Sequence, residues 1–292
     1  MKDYIAVLGS GVSINDLSDK ERKIIDLCEV KIAINKYAAF YKKAAIKPTH
    51  VYYTDDYYIS SRNFFEYMIS YLNKEKISNL TFIVSKRMSP MLTQDKLEFL
   101  IKKVFYFFKD LVIIFSKNRF ISRISSIMQI RKYGINSSQL RILKLPPKSV
   151  LHEVEILSHN KKGTAWAKTL KEPLYHFKGS LSSVLNYISI YFPNKKVLLV
   201  GVDFNTSNYF FEEELNKLNF ETKDWTYDLT KKENKHYSII TTQGVKMDDE
   251  LPFMISELEK RHIELFNINE NSYLVKQNFV KHIDLKRFKK TI

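Results

Sequence analysis

A turn near the start of the sequence has the residue types that bind phosphate. A short apolar run, Tyr4–Leu8, is followed at once by Gly9, Ser10 and Gly11, with Ser13 two residues further on. Such a run ending in glycine is typical of a buried strand that turns into a helix. Glycines let backbone approach a ligand closely, and free N–H groups at a helix start attract an anion. The turn therefore predicts a phosphate site, with a plain strand-to-helix turn as the alternative.

Three further residues have types that suit the chemistry of such a ligand. His236 ends a long polar segment and precedes Tyr237, where the chain returns to the sheet domain, so its imidazole is placed to reach a cleft. Histidine titrates near neutrality, which suits a general base. Lys178 and Ser180 open an apolar helical pattern, and a lysine beside helix N–H groups predicts an anion site. An ordinary helix capped by Ser180 is the alternative.

The acidic residues lack the pattern expected of a metal-dependent sugar transferase. Asp55–Asp56 and Asp248–Asp249 are adjacent pairs instead of the Asp-x-Asp arrangement that holds a divalent ion, and Asp203 stands alone. Solvated carboxylates or helix-start residues explain them better than metal ligands do. The sequence also lacks the serine elbow of hydrolases and the Walker motif of ATPases. We therefore expect no resident metal and neither of those enzyme classes.

The alternation of apolar runs and helical patterns indicates how these residues are positioned. It predicts an α/β fold with a parallel sheet covered by helices on both faces. Because ligands bind beyond the carboxyl ends of the strands in such sheets, Asn35, Thr54 and Asp203 become candidate ligand-binding residues. The predicted strands are Val30–Ile34, Val51–Tyr53, Leu80–Val84, Leu111–Phe115 and Val197–Val200, and the predicted helices are Phe64–Leu72, Lys96–Phe108 and Leu181–Phe192.

The second half of the chain contains a polar insertion and a basic tail. Residues 205–235 are polar with scattered aromatic side chains, which predicts a lid or substrate loop, or alternatively a disordered surface loop. A helix over Asp248–His262 and a strand over Glu264–Asn267 follow. The tail Lys276–Ile292 mixes basic and apolar residues. This mixture predicts an amphipathic contact, either with an anionic bilayer or with a neighbouring subunit.

Composition limits the class of protein and its surroundings. The 292 residues are 45% hydrophobic, enough to bury a sizeable core. The net charge of +15 favours anionic partners, although lysine-rich coding bias explains such a charge equally well. The basic residues lack the interleaving of RNA-recognition motifs, so nucleic acid is not an expected partner. A single cysteine (Cys28), no secretory leader and no apolar run of about 20 residues predict a cytoplasmic protein.

Taken together, these motifs resemble the bacterial sialyltransferases of glycosyltransferase family 42, which build lipooligosaccharide and capsule. The resemblance spans roughly residues 1–270 and rests on the shared order and spacing of loose motifs. In chain order these are Gly9–Ser13, Asn35–Tyr37 after the second strand, Ser180 opening a helix, Gly201–Phe204, an insertion that bears Tyr209, and His236 followed by Tyr237.

The resemblance implies a GT-A-like Rossmann-type fold with a lid insertion and metal-independent, inverting transfer of sialic acid from a CMP donor. It implies that His236 takes the proton of the acceptor hydroxyl and that Tyr209 donates to the departing phosphate, whose charge a phenol stabilises without an ion. Asn35 then binds the cytidine monophosphate portion. The donor-binding residues implied are Gly9, Ser10, Gly11, Ser13, Asn35, Thr54, Lys178, Ser180, Asp203 and Tyr237.

Three departures from the family's pattern leave the donor sugar open. Asn205 stands in place of the first of two phosphate tyrosines, and Thr54 in place of a donor-binding asparagine. Lys178 stands near a family arginine, so the charge is kept and the bidentate fork is lost. The resemblance therefore implies a donor sugar that is sialic acid, another nonulosonate or Kdo, and an oligosaccharide or glycolipid acceptor. A non-catalytic nucleotide-binding module of a glycan-assembly pathway is the alternative function.

The resemblance also implies a division of the chain. A nucleotide-binding Rossmann-like domain is expected over residues 1–204 and 237–270, a lid or acceptor insertion over 205–236, and a basic tail over 271–292. The expected assembly is a homo-oligomer, peripheral on the cytoplasmic face of the inner membrane.

Overall fold

The computed structural model of the chain describes residues 1–55, 59–86, 88–92, 143–158, 165–218, 235–242 and 244–288, together with Ile101 and Val104. The predicted strand Leu111–Phe115 lies outside these residues. Of the predicted helix Lys96–Phe108, only Ile101 and Val104 are described, and both are helical. The strands of the described residues are β1 (Tyr4–Leu8), β2 (Val30–Ile34), β3 (His50–Tyr53), β4 (Thr81–Ser85), β5 (Val150–Val154), β6 (Ile156–Ser158), β7 (Leu174–His176), β8 (Lys196–Val200), β9 (Glu264–Asn267) and β10 (Lys281–His282).

Helices connect these strands, and local capping explains where several begin. The Ser18 side chain accepts from the backbone N–H of Glu21, whose carboxylate in turn accepts from the N–H of Ser18, so α1 starts at the next residue. The described α-helices are α1 (Asp19–Asp26), α2 (Tyr41–Ala44), α3 (Ile59–Lys74), α4 (Ser180–Tyr191), α5 (Glu212–Lys217), α6 (Leu251–Glu259) and α7 (Tyr273–Lys276). Short 3-10 helices span Val12–Asp16, Asn35–Ala39, Ser89–Leu92, Tyr237–Ile239, Met247–Asp249 and Leu285–Arg287.

The main sheet is parallel throughout and reverses its strand order at β1. The order is β10-β9-β8-β1-β2-β3-β4-β5, while β6 and β7 form a separate parallel pair. Leu8 lies opposite Ala33 of β2 on one side and opposite Val200 of β8 on the other. The chain winds outward from β1 through β5 and later returns to the opposite side through β8. Open α/β sheets bind ligands in the crevice beyond the carboxyl ends of the strands at such a reversal.

Helices cover both faces of this sheet, because each buried strand is apolar on both sides. In β1, Ala6 and Leu8 belong to a core that includes α3, whereas Ile5 and Val7 belong to a core that includes α4 and α6. All four side chains are almost completely buried. The predicted α/β Rossmann-type parallel sheet with helices on both faces is therefore confirmed.

The C-terminal tail completes the sheet. β10 pairs with β9 in parallel, Leu285 is 1% exposed, and Ile283 and Phe288 pack against the core. The Phe288 ring meets that of Tyr4 edge to face, with 5.8 Å between ring centroids. This corrects the predicted amphipathic contact, since the apolar side chains expected to meet a bilayer or a neighbouring subunit are packed within their own chain.

Other elements differ from the sequence predictions in their bounds. In place of one helix over Asp248–His262, the chain forms the 3-10 helix Met247–Asp249 and then α6, with Pro252 in its first turn. β5 was not predicted because its sequence includes His152 and Glu153 and does not read as an apolar run. None of the helices among the described residues has the length and apolar composition that a membrane crossing requires.

Candidate functional site

The turn after β1 is packed closely against the end of β8. The N–H of Gly9 donates to the carbonyl of Val200 and the N–H of Gly11 to that of Gly201, both at 2.7 Å. A side chain at Gly9 would collide with the carbonyl oxygen of Gly201, and one at Gly11 with the carboxylate of Asp203. Both glycines are therefore required for the approach of two segments of this chain, irrespective of any ligand.

Asp203 packs against this turn and binds the N–H group of Ser13, one of the residues predicted to hold a phosphate. Asp203 is 5% exposed, and its carboxylate accepts from the N–H of Ser13 at 3.0 Å, the hydroxyl of Ser13 at 2.6 Å and the amide of Asn269 at 2.9 Å. A carboxylate beside the start of the helix Val12–Asp16 satisfies the positive helix end that would attract an anion. The N–H of Ser13, like those of the two glycines, is thus engaged within the chain. This corrects the expectation of free N–H groups at Gly9, Gly11 and Ser13.

Asn35 and Ser180 meet at the same edge of the sheet. Asn35 follows β2 with a φ of 48°, a left-handed conformation that asparagine tolerates well. Its Nδ2 donates to Ser180 Oγ at 3.1 Å, and its Oδ1 is buried with no hydrogen-bond partner among the described residues. A ligand N–H group would satisfy that oxygen. The residue that caps α4 is Gly179, with a φ of 136°, so Ser180 is not the predicted cap but the first helical residue.

Tyr209 lies beside the glycine turn. It forms an isolated antiparallel bridge with Gly11. The N–H of the next residue, Phe210, donates to the carbonyl of Ser10 at 3.0 Å. Phe210 and Phe211 are 1% and 0% exposed, and the ring of Phe211 stacks on that of Phe40 with centroids 4.2 Å apart. Aromatic anchors therefore fix the first part of the insertion. Its residues 219–234 lie outside the described residues, so the lid stays a prediction.

His236 lies at this edge too, close to Asp203. Its ring stacks on that of Phe204 with 4.7 Å between centroids. Burial lowers the pKa of His236 to about 4, with a smaller opposing effect from the Asp203 carboxylate. Nδ1 accepts from the backbone N–H of Ser238 at 3.2 Å, so a neutral ring holds its proton on Nε2. This imidazole presents an N–H group, whereas the predicted base needs a lone pair.

Lys178 fastens the start of α4 to the segment that contains His236. The residue is 6% exposed, and its Nζ donates to the carbonyl of Ile240 at 3.0 Å and to the hydroxyl of Thr242. The Nζ also lies 4.6 Å from the centre of the Tyr237 ring, and burial lowers the pKa of Lys178. The ammonium therefore joins the start of α4 to residues 237–242, and its role as an anion site stays a prediction.

Two residues at the site were given no role in the sequence analysis. Lys36 places its Nζ 5.7 Å from the centre of the Tyr209 ring, next to the glycine turn. His176 ends β7, and its Nδ1 lies 3.1 Å from Ser183 Oγ in α4. The sequence feature that could have identified His176 is its position at the end of a short strand, shortly before the serine-rich start of α4. Thr54, directly after β3, is half-buried at the corresponding strand end.

His50 and His152 interact with each other on the α4 face of the sheet. Burial, and secondarily the charge of His152, lowers the pKa of His50 to about 4. His50 thus resists protonation when folded and accepts a proton near pH 6.5 when unfolded. We expect the free energy of unfolding to fall as pH drops from about 6.5 to about 4, by at most about 1.4 kcal/mol per pH unit for this group.

Urea unfolding at several pH values measures this loss. His50→Gln is expected to flatten the pH dependence relative to wild type, whereas His282→Gln, at an exposed histidine, is expected to leave it unchanged. Equal slopes for wild type and His50→Gln would contradict the assignment.

Among the described residues, no three His, Cys, Asp or Glu side chains converge as metal ligands would. Comparison of the chain with protein-family models and with curated proteins finds no match.

Proposed function

We propose that this chain is an inverting, metal-independent glycosyltransferase that moves sialic acid or a related nonulosonate from a CMP donor to a surface glycan. The observation that supports this most is the meeting of sequence-distant polar residues at the strand-order reversal. Ser13 and Asp203 are 190 positions apart and share two hydrogen bonds, and His236 and Tyr209 both lie beside them. A nucleotide at a reversal of this kind is the usual arrangement in open α/β sheets.

The unpartnered Oδ1 of Asn35 favours a cytosine base. An amide oxygen accepts hydrogen bonds, and cytosine has an exocyclic amino group where uracil has a carbonyl. A buried acceptor left without a donor costs about 1–3 kcal/mol, which a matching ligand recovers. Because Nδ2 is already bound to Ser180, the amide cannot simply rotate to serve uracil.

The neighbourhood of Tyr209 suits a departing phosphate. Lys36 supplies a positive charge close to its ring, and the bridge to Gly11 fixes the backbone of Tyr209 next to the glycine turn. A donor hydroxyl and a cation aimed at the place where negative charge develops lower the barrier to leaving-group departure. The fixed position of Tyr209 is consistent with its expected role as a donor to that phosphate.

Thermal unfolding in the presence of nucleotides tests the binding step. We expect CMP to raise the melting temperature more than UMP, AMP or NAD, because binding to the folded state at 100 times Kd adds about 2.7 kcal/mol of stability. Asn35→Ala is expected to abolish the preference for CMP. Asn79→Ala is the matched control, since Asn79 is an exposed asparagine with a similar φ of 59°. Equal shifts with all four nucleotides would contradict the proposal.

The alternatives separate in a transfer assay. A CMP-induced shift without consumption of any CMP-sugar favours a non-catalytic nucleotide-binding module. Consumption of CMP-Kdo in preference to CMP-sialic acid assigns a Kdo transferase. The comparison is necessary because Thr54 and Lys178 depart from the donor-binding residues of the sialyltransferase family.

A further inference from the structure

Asp248, which has no role in the proposed function so far, has a buried carboxylate oxygen without a donor. The residue lies in the 3-10 helix Met247–Asp249, in the segment that follows the insertion. Its Oδ2 accepts from the hydroxyl of Tyr273 at 2.6 Å and forms an ion pair with Lys246 Nζ at 2.7 Å. Its Oδ1 is buried and has no hydrogen-bond partner among the described residues. Asp248 is therefore not the solvated carboxylate that its sequence suggested.

An oxygen of this kind points to a ligand that donates a hydrogen bond. Most buried polar atoms in folded proteins are paired, so an unpaired one calls for a partner from outside the chain. An ionised carboxylate only accepts, and the partner must therefore be a donor. The neighbouring Asp249, by contrast, is used within the chain, because its Oδ2 accepts from the N–H of Lys246 at 2.9 Å. Of these two adjacent carboxylates, it is Asp248 that has a buried oxygen still to be satisfied.

The carboxylate of Asp248 lies close to the surface. Its side chain is 12% exposed, and the side chain of its partner Lys246 is 40% exposed. The ammonium is carried on a flexible four-carbon stem, so a small movement of Lys246 admits a ligand group to the carboxylate. A ligand can therefore reach this oxygen without any change in the backbone.

The charges around this oxygen favour a neutral hydroxyl over an ion. Lys246 balances the charge of Asp248, so the pair carries no net charge that would attract a cation, and the carboxylate oxygen itself repels an anion. A hydroxyl both donates and accepts, and an ammonium has three N–H donors. One sugar hydroxyl can therefore donate to Oδ1 of Asp248 and accept from Lys246. This pair of contacts suits a neutral, polyhydroxylated ligand.

Two contacts link Asp248 to the site at the carboxyl end of the sheet. Tyr273, whose hydroxyl binds Asp248, donates its backbone N–H to the carbonyl of Asp203 at 2.8 Å. One tyrosine thus spans the distance between the two aspartates. The 3-10 helix that contains Asp248 also packs against the 3-10 helix Tyr237–Ile239, which begins directly after His236.

We propose that Asp248 and Lys246 form a subsite for the acceptor glycan, in which Oδ1 of Asp248 accepts a hydrogen bond from a hydroxyl of a neutral sugar. The inference rests on the proposed function, which so far assigns residues to the nucleotide and the departing phosphate and none to the binding of the acceptor. Asp248 binds the acceptor in this account and takes no part in proton transfer.

Binding of the full-length chain to an array of neutral and acidic glycans tests the subsite without any turnover. We expect the wild type to bind at least one neutral glycan and Asp248→Asn to bind it about tenfold more weakly, because hydrogen bonds to a charged group are the stronger ones. Asp249→Asn is the matched control and is expected to bind like the wild type, since its amide oxygen still accepts from the N–H of Lys246. Thermal unfolding of each variant establishes that it is folded.

Two further comparisons locate the contact. Lys246→Met, at a side chain that is 40% exposed, removes the second ligand contact, and we expect a smaller loss of binding in the same direction. Monodeoxy derivatives of the bound glycan identify the hydroxyl: its removal is expected to weaken binding to the wild type about tenfold and binding to Asp248→Asn hardly at all. In turnover, we expect Asp248→Asn to raise the KM for this glycan about tenfold and to leave the KM for the CMP-sugar unchanged.

The outcomes separate the subsite from the proposed function. Equal glycan binding by the wild type and Asp248→Asn, a wild type that binds no neutral glycan, or a raised KM for the CMP-sugar alone would overturn the subsite. CMP-sugar turnover with the same acceptor KM in both chains would overturn the subsite and leave the function standing. Binding of a neutral glycan that depends on Asp248, in a chain that consumes no CMP-sugar, would refute the function and leave the subsite standing.

Discussion

Asp203→Ala is expected to lower the free energy of unfolding by about 3 kcal/mol, the largest stability effect we anticipate from a single polar residue. Its carboxylate accepts three hydrogen bonds in an almost fully buried position, from both donors of Ser13 and from Asn269. Removing a buried charged partner leaves those donors without acceptors, and such losses typically cost about 3–5 kcal/mol. The segments that follow β1 and β9 would no longer be hydrogen-bonded to the segment that follows β8. Urea unfolding followed by circular dichroism measures the change.

Matched variants separate the loss of charge from the loss of hydrogen bonds. Asp203→Asn keeps the shape but turns an NH₂ group toward other donors, so we expect a loss close to that of alanine. Asp3→Asn is the control, because Asp3 is an exposed carboxylate just before β1, with a side chain 85% exposed. A change under about 1 kcal/mol for Asp203→Ala would mean that the carboxylate does not organise this turn.

His236→Ala is expected to reduce the rate of CMP release from a CMP-activated nonulosonate by about 100- to 1000-fold, the effect of removing one aligned donor from a charge-stabilising site. Because the ring stacks on Phe204 and contacts Ser238, the melting temperature of the variant is measured alongside turnover, so that a loss of fold is distinguished from a loss of chemistry. His282→Ala, at an exposed histidine of β10, serves as the control. A His236→Ala variant that keeps wild-type turnover would remove this residue from the chemistry.

Local sequence patterns were sufficient to predict the parallel strands that position the site. The apolar run Tyr4–Leu8 ending in glycine is a short-range signal, and the same holds for the runs that became β2, β3, β4 and β8. Once these strands are parallel, their carboxyl ends share one edge, so the proximity of Asn35, Asp203 and the glycine turn follows from topology. The aromatic anchors of the insertion were likewise expected to find packing partners, and Phe210 and Phe211 do.

The hydrogen-bond partners of the polar groups at this edge could not be predicted, because they belong to segments that are distant in sequence. Nothing local indicates that the N–H of Ser13 is satisfied by Asp203, 190 positions away. Lys178 likewise finds its acceptors more than 60 positions along, in the segment after the insertion. The apolar residues of the tail resembled a membrane contact because an amphipathic pattern is the same whether its partner is lipid or the neighbouring strand β9.

The tautomer of His236 is also beyond sequence reasoning. For His236 it depends on a backbone N–H two residues along, a bond that exists only in the local 3-10 conformation. Residue type alone therefore predicted a base at His236, whereas the hydrogen bonds favour a donor there.

The release of CMP from CMP-activated sialic acid, measured in EDTA with and without an oligosaccharide acceptor, tests the central claim most directly. We predict release that is stimulated by the acceptor, is undiminished by EDTA, and falls about 100-fold or more in His236→Ala. Absence of release from CMP-sialic acid and from CMP-Kdo, or an identical rate for wild type and His236→Ala, would contradict the proposal that this edge of the sheet is the active site of a CMP-sugar transferase.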